Sequence, residues 1–336
     1  MDPVSQGLVG AVFSGSASNK KELRKAAVIG FGAGMLADID IFIRSSTDPL
    51  VALEYHRQFT HSLFFIPFGG LVAALVFALF FRKKLKFGKI YLYSVIGYAT
   101  HCFLDACTSY GTELLWPFSN MKIGWGSISV LDPLFTVVLV IVVIWGFRKK
   151  SVNYSRIGII FCISYILFGF YQHHRVEKFL LNAAALRGHN VEKILVHPTL
   201  GNLVLYRGIY ESGGRYHVDA VRAGILSGEI MLYEGSSIKK FDPSSLYPAV
   251  ETSSVLFNDI MRFDHFTRGF LVISPDSKDI IGDIRYSALP NSIRPLWGIK
   301  IDIDNPERHI ERVNTFGVER DRSTLFKMLK GEKLQN

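Results

Sequence analysis

The sequence predicts an α-helical integral membrane domain of about five spans over residues 1–175, followed by an α+β extracytoplasmic domain over residues 176–336. Three observations carry this expectation. Residues 62–81, SLFFIPFGGLVAALVFALFF, hold no charge over twenty residues, which matches the roughly 20-residue length of a bilayer-crossing helix. Weaker apolar runs at 26–43, 88–107, 129–147 and 157–172 surround it, and no long apolar run follows residue 172. Basic clusters border the runs: Lys20, Lys21, Arg24 and Lys25; then Arg82, Lys83, Lys84, Lys86 and Lys89; then Arg148, Lys149, Lys150 and Arg156.

The first run is read at 26–43. The start, MDPVSQGLVG, lacks the basic opening of a cleaved leader, so the first membrane helix is expected to target the chain. The net charge of +9 is uneven: residues 1–175 hold 17 Lys+Arg against 9 Asp+Glu, and the remainder holds 21 against 20. Because Lys/Arg-rich short loops stay in the cytoplasm, the excess is read as membrane topology, and no nucleic-acid partner is expected. The connections 44–61 and 108–128 then lie outside, with only Arg44, Arg57 and Lys122 as cations. This scheme brings Asp38, Asp40, His56, His61, His101, Asp105 and Asp132 to one membrane face. Ionisable groups at membrane depth are costly and point to function. Cys102, Cys107 and Cys162 all lie in apolar runs, so no disulfide framework is implied for the second half.

His101 and Asp105 are four residues apart and share one face of a helix. Imidazole and carboxylate together suit Zn²⁺, and also Mn²⁺ or Fe²⁺. Asp38 and Asp40 are two apart; they converge only if the helix ends or unwinds there, and otherwise one caps while the other is solvated. The glycines of GFGAGMLAD suit close helix packing that draws these acids inward. His56 and His61, in YHRQFTHS, fit a turn entering a helix, with Thr60 or Ser62 as its cap and Arg57 as an anion clamp. The alternative for this stretch is an interfacial loop with polar anchors. Together the two acids, two histidines and His–Asp pair resemble a one- or two-metal hydrolytic site.

Around that site, Glu113 in YGTELLWPFS is a candidate general base beside an interfacial anchor, Trp116. Asp132–Pro133 reads as a helix cap. His173 and His174 are candidates for a further ligand. Beyond residue 187, ILVHP, NLVLYRGIY, GRYHVDAV, GFLVISP, DIIGDIRY and WGIKIDI read as strands of a small, mainly antiparallel sheet, and TSSVLFNDIMRFDHF reads as a helix. There is no Walker loop, GxGxxG fingerprint, zinc-finger spacing or GxSxG elbow.

The segments MDPVSQGLVGA, LADIDIFI, YHRQFTHSLFF, THCFLDACTSYGTELLWPFS and WGSISVLDPLFT resemble the bacterial inner-membrane metal-dependent hydrolases of the YdjM type through about residue 145. HPTLGNLVLYRGI, RFDHFTRGF and GDIRYSALP resemble stretches of its longer members. That family is grouped by remote similarity with zinc-dependent phospholipases C and S1/P1-type nucleases. The resemblance implies a metal site of Asp38, Asp40, His56, His61, His101 and Asp105. Arg57, Thr60, Ser62 and Thr108 would support it or meet substrate. Many members carry a histidine in a DxxTH pattern where this chain has Ser5 and Gln6.

Two functions are therefore expected to compete. One is a membrane-bound metal-dependent hydrolase of small or lipid-linked phosphoesters at the outer face of the inner membrane, with Arg57, Thr60 and Glu113 as catalytic groups. Its cofactor would be a divalent metal, zinc first, with manganese or magnesium as alternatives; its partners would be membrane lipids and the phosphoester. The other is a non-enzymatic membrane protein with a structural metal, whose outer domain binds a partner or senses envelope stress. A transporter is disfavoured, because the runs show no inverted repeat.

Overall fold

Asp2 and Pro3 open the first helix, α1 (Pro3–Ser16): the Asp2 side chain accepts from Ser5 N at 3.0 Å, and Pro3 starts the first turn without a donor to satisfy. A computed structural model of the chain describes residues 1–225, 228–246, 248, 250–314 and 322–334. The chain divides into two units. The first comprises Met1–Ile43, Tyr55–Tyr171 and Leu200–Asn202; the second comprises Arg44–Glu54, Gln172–Thr199 and Leu203–Asn336.

The first unit is helical. After α1 come α2 (Leu23–Leu36), α4 (Ile66–Phe81), α5 (Phe87–Ala106) and α6 (Pro133–Lys149), and then the opening turns of α7 (Asn153–Leu186). The α3 helix (Val51–Tyr55) straddles the boundary between units. Helices α1, α2 and α5 approach at glycine: a Cβ on Gly10 would lie 2.2 Å from the Gly30 carbonyl oxygen, and one on Gly97 would lie 2.4 Å from the same oxygen. Leu8, Val9 and Val12 of α1 join Phe135 and Leu139 of α6 and Cys162 of α7 in one buried cluster. As read from sequence, Asp132 caps α6, accepting from Phe135 N at 3.2 Å and from the Tyr165 hydroxyl at 2.7 Å.

The expectation of about five spans is overturned. Among the described residues one helix, Val152–Leu186, is long and apolar enough to cross a membrane; a second qualifies only if Val51–His61 and Ile66–Phe81, bent by 89°, count as one span. The apolar runs overstate the helices inside them. Residues 26–43 break at Leu36, residues 62–81 become α-helical only at Ile66, and residues 129–147 only at Pro133. At 1.5 Å per residue α2, α4 and α6 reach about 21, 24 and 26 Å, short of a hydrocarbon core of about 30 Å. The α5 helix has the length, but Lys89, His101 and Asp105 interrupt its apolar character.

The second unit carries two antiparallel sheets rather than one. Strands β1 (Lys193–Pro198), β2 (Leu205–Ser212), β3 (Arg215–Ala223) and β4 (Ile230–Tyr233) run in spatial order, and β5 (Ser237–Lys239) pairs with the other end of β3. Strands β6 (Leu271–Ile273), β7 (Ile280–Asp283), β8 (Trp297–Lys300) and β9 (Glu311–Asn314) form the second sheet. The six strands and the helix read from the sequence are present, the helix as α8 (Val255–Thr267). Tyr206 and Tyr210 of β2 pack with Val176, Leu180 and Ala184 of α7, while Ile209 faces Phe270 and Val272. Gly208 permits this contact, since a Cβ there would meet Leu180 Cδ2 at 2.5 Å.

The segment 44–54 also belongs to this unit. Arg262 of α8 holds it, with Nη1 2.9 Å from Asp48 Oδ2 and Nη2 2.7 Å from Glu54 Oε2, while Nη1 also lies 3.0 Å from the buried Asp259.

His197 gives this unit a pH response. Burial pushes its imidazole down to about 4, against weaker support from the Arg285 and Pro198 carbonyls. The folded chain therefore keeps His197 neutral where the unfolded chain takes a proton near 6.5. Its contribution is fully present above 6.5 and is lost as pH falls toward 4, a total on the order of 3 kcal/mol. Hydrogen-exchange protection of β1 and β2 should fall across that window, and His197→Gln should flatten the fall. An unchanged slope in the variant would exclude His197 as its source.

Candidate metal centre

Asp38 and Asp40 converge because α2 stops being an α-helix. Ala37–Phe42 wind as a 3-10 helix, which separates positions two apart by about 120° instead of about 160°. Asp40 is fully buried and Asp38 mostly so, while Ile39, Ile41 and Phe42 stay exposed. His56 follows α3, Arg57 takes a left-handed φ of 62°, and a 3-10 turn, Phe59–His61, leads toward α4. Two backbone bonds hold Arg57 there: its N–H donates to Asp40 Oδ2 at 3.0 Å, and its carbonyl accepts from Glu113 N at 3.0 Å. His101 and Asp105 enter from one face of α5.

Four ligand atoms then share one point. His61 Nε2 lies 3.5 Å from Asp38 Oδ1 and 3.3 Å from Asp105 Oδ2. His101 Nε2 lies 3.5 Å from each of the same two oxygens. The two Nε2 atoms are 2.9 Å apart. Ligands held about 2.0–2.1 Å from a tetrahedral zinc ion stand about 3.3–3.4 Å from one another, so the four nitrogen–oxygen edges fit a tetrahedral cation site while the Nε2–Nε2 edge is shorter.

The outer hydrogen bonds fix the protons. His101 Nδ1 lies 2.6 Å from the Gly34 carbonyl oxygen, which can only accept, so Nδ1 carries the hydrogen. His61 Nδ1 lies 3.2 Å from Asp40 Oδ2 and 3.0 Å from the Thr60 hydroxyl, whose own hydrogen goes to Asp40 at 2.7 Å. Nε2 of each ring thus points inward, toward two carboxylate oxygens. Two imidazole nitrogens and two carboxylate oxygens this close together need a shared positive charge, which a cation among the four would supply. Asp105 Oδ2 makes no well-aligned hydrogen bond, although Arg57 Nε lies 3.0 Å away. The Asp40–His61 contact is the carboxylate–histidine arrangement that orients metal ligands.

Asp105 divides its oxygens. Oδ1 accepts from Gln6 Nε2 at 2.7 Å and meets the Met1 α-amino group, while Oδ2 faces the histidines and lies 3.0 Å from Arg57 Nε. Arg57 Nη1 donates to the Thr108 hydroxyl at 3.0 Å, and its guanidinium lies over the Tyr110 ring. Burial works to raise the Asp40 carboxyl, but hydrogen bonds from His56 and His61 outweigh it and hold it below the usual carboxylate range. Asp38, Asp40 and His56 form a second ligand group that shares Asp38 with the first.

All six residues read as metal ligands are therefore gathered here, with Arg57, Thr60 and Thr108. Ser62 instead donates to Phe59 O and accepts from Phe65 N, which secures the turn. Glu113 is buried in an ion pair with Lys122 at 3.0 Å and joins neither ligand group. His173 and His174 fall in the second unit and likewise join neither. Gln6 and the Met1 α-amino group are the contacts that sequence reasoning did not assign. The DxxTH pattern at that position was the available signal, because it marks where α1 passes Asp105.

The family described as YdjM inner membrane protein matches over residues 1–176. The chain belongs to this family. Every YdjM-matched residue named above, from Gln6 to Thr108, lies inside the match. An uncharacterized protein of Bacillus subtilis (strain 168), YfhP, is 26% identical over 178 residues, covering 52% of this chain and 53% of that protein. The chain thus spans about half the length of the curated relative it matches. No solved structure matches the chain.

Proposed function

We propose that this YdjM-family inner-membrane protein is a divalent-metal-dependent hydrolase of phosphoesters, acting on an amphiphilic, lipid-linked substrate. The convergence of His61 Nε2, His101 Nε2, Asp38 Oδ1 and Asp105 Oδ2 carries the reading. Zinc suits this nitrogen–oxygen set, with manganese or magnesium as alternatives. A bound cation would supply Lewis acidity at a phosphoryl oxygen. Arg57, buried beside Asp105 and anchored to Thr108, balances the carboxylates and offers positive charge to a phosphate. His56 is the solvent-accessible member; its Nδ1 lies 2.8 Å from Asp40, which leaves Nε2 to hold a proton. Glu113, paired with Lys122, has no part in this scheme.

The exposed Ile39, Ile41 and Phe42, interleaved with the two acids, and Leu63 and Phe64 just after His61 put an apolar rim beside the polar centre. That rim supports an amphiphilic substrate over a soluble one. The basic stretch Arg148–Lys150 and Arg156 at the start of α7 supports an extracytoplasmic position for residues 176–336. Segment 44–54, held by Arg262, belongs to the same unit.

The competing reading is a structural metal. His61, His101 and Asp105 are fully buried, and a closed four-ligand set is the hallmark of structural zinc. Phosphate release from a lipid-linked phosphoester in detergent micelles separates the two. The hydrolase reading expects release that a chelator abolishes and that Asp38→Asn lowers about 100-fold or more. Wild-type protein with full metal content and no release from any phosphoester tested would leave the structural reading standing.

A further inference from the structure

A second charged feature lies apart from the metal centre, at the start of α2. A cavity of about 550 Å³ is walled by Lys20, Lys21, Arg24, Lys25 and Lys150. Leu23 and Phe147 supply its apolar lining, and no acid lines it. The adjacent acid, Glu22, is engaged elsewhere: Oε1 lies 2.5 Å from Lys89 Nζ, and Oε2 accepts from the Tyr93 hydroxyl at 2.9 Å. Arg24 Nη2 donates to the Phe147 carbonyl at 3.1 Å, which fixes one wall. Glu22 makes no side-chain cap to α2; Asn19 Oδ1 takes the N–H groups of Lys21 and Glu22, and the positive end of the helix adds modestly to the field.

Five cations around one cavity, with no acid among its lining residues, match a phosphate. The surroundings decide which kind. On α6, Val137, Ile141, Ile144 and Trp145 are all exposed and fall at helical spacing, so they form one stripe on the helix that carries Phe147 and is followed by Lys150. A free phosphate would use the cations and leave that stripe uncovered; a lipid uses both. We infer that this pocket binds the phosphate of an anionic lipid headgroup, with the acyl chains along the exposed face of α6. The inference does not depend on the hydrolase reading. Basic pockets beside membrane helices hold headgroups by the same physics, at roughly 1 kcal/mol, or about fivefold in affinity, per cation.

The test uses the full chain in a neutral detergent, titrated with dioctanoyl phosphatidylglycerol, dioctanoyl phosphatidylcholine or inorganic phosphate and read by native mass spectrometry. Saturable binding of the phosphatidylglycerol alone is expected. Lys20→Gln/Lys21→Gln/Lys25→Gln should weaken it about 100-fold. Lys83→Gln/Lys84→Gln/Lys86→Gln removes the same charge elsewhere and should leave it within about twofold, because separated surface charges are screened. The inference is overturned if the second variant loses as much as the first, if phosphatidylcholine binds equally, or if inorganic phosphate displaces the lipid at matching concentration. Circular dichroism of both variants guards against misfolding; Lys25 is half-buried, the other substituted lysines are exposed, and none belongs to a buried hydrophobic cluster.

Discussion

Purified wild-type protein should carry about one divalent ion per chain, and His61→Ala should carry none above background. The expectation follows from the four-atom convergence. Removing the His61 imidazole deletes one corner and frees Asp40 from its orienting contact. Asp105→Asn should act similarly, because an amide is a poor ligand and turns a donor or a weak acceptor toward the histidines. Asp40→Asn should be milder: it leaves the four ligand atoms in place but loosens His61, and loss of such an outer partner costs about 10–100-fold in metal affinity. The graded order is the informative part. Elemental analysis after dialysis against a weak chelator reads it directly. Equal metal in wild type and His61→Ala would remove the metal centre, and with it the hydrolase proposal.

Gly30→Val should destabilise the helical unit by at least 3 kcal/mol, roughly the upper end of overpacking costs. A Cβ at Gly30 would stand 2.3 Å from the Gly10 carbonyl oxygen and 2.3 Å from Ser14 Oγ, so backbone as well as side chain must move. The effect should reach the metal. Gly34, one turn further along α2, supplies the carbonyl that fixes His101 Nδ1, and His101 lies one turn after Gly97 on α5. Forcing α1, α2 and α5 apart therefore separates Asp38 from His101. Gly88→Ala, where an added Cβ meets nothing within 4 Å, is the matched control and should be neutral or slightly stabilising. Thermal unfolding and metal content measured on both variants check this. A Gly30→Val protein with wild-type unfolding temperature would mean the helices do not close at that point.

The gathering of the candidate residues was more legible than the membrane topology, for physical reasons. His101 and Asp105 share a face on any α-helix, so their spacing alone places them together. Asp38 and Asp40 needed a break in the helix, and the sequence could state that condition without deciding it. The change from α to 3-10 winding at Ala37 met it. Span number failed because apolar composition does not report where a helix begins. Residues 62–65 and 129–132 are uncharged or capping loop, yet they lengthened the runs. The α1 helix went unread, being only 14 residues and rich in small side chains. Its opening Asp2–Pro3 is the same cap pair recognised at Asp132–Pro133. Glu113 looked available because its partner Lys122 lies nine positions away, across a short bridge between Thr112 and Ile123 that periodicity does not reveal.

Segment 44–54 changes what a separable part of this protein is. It joins Asp40 to His56, so both halves of the ligand set are threaded through a stretch that folds with the sheet-bearing unit and is fastened there by Arg262. Truncation after residue 175 would keep every ligand in the polypeptide and still strip that stretch of its fastening. Asp48 and Glu54 would then face water, and the two ends of the loop would drift independently. The unit of inheritance for the candidate metal site is thus larger than the sequence interval that contains its candidate ligands.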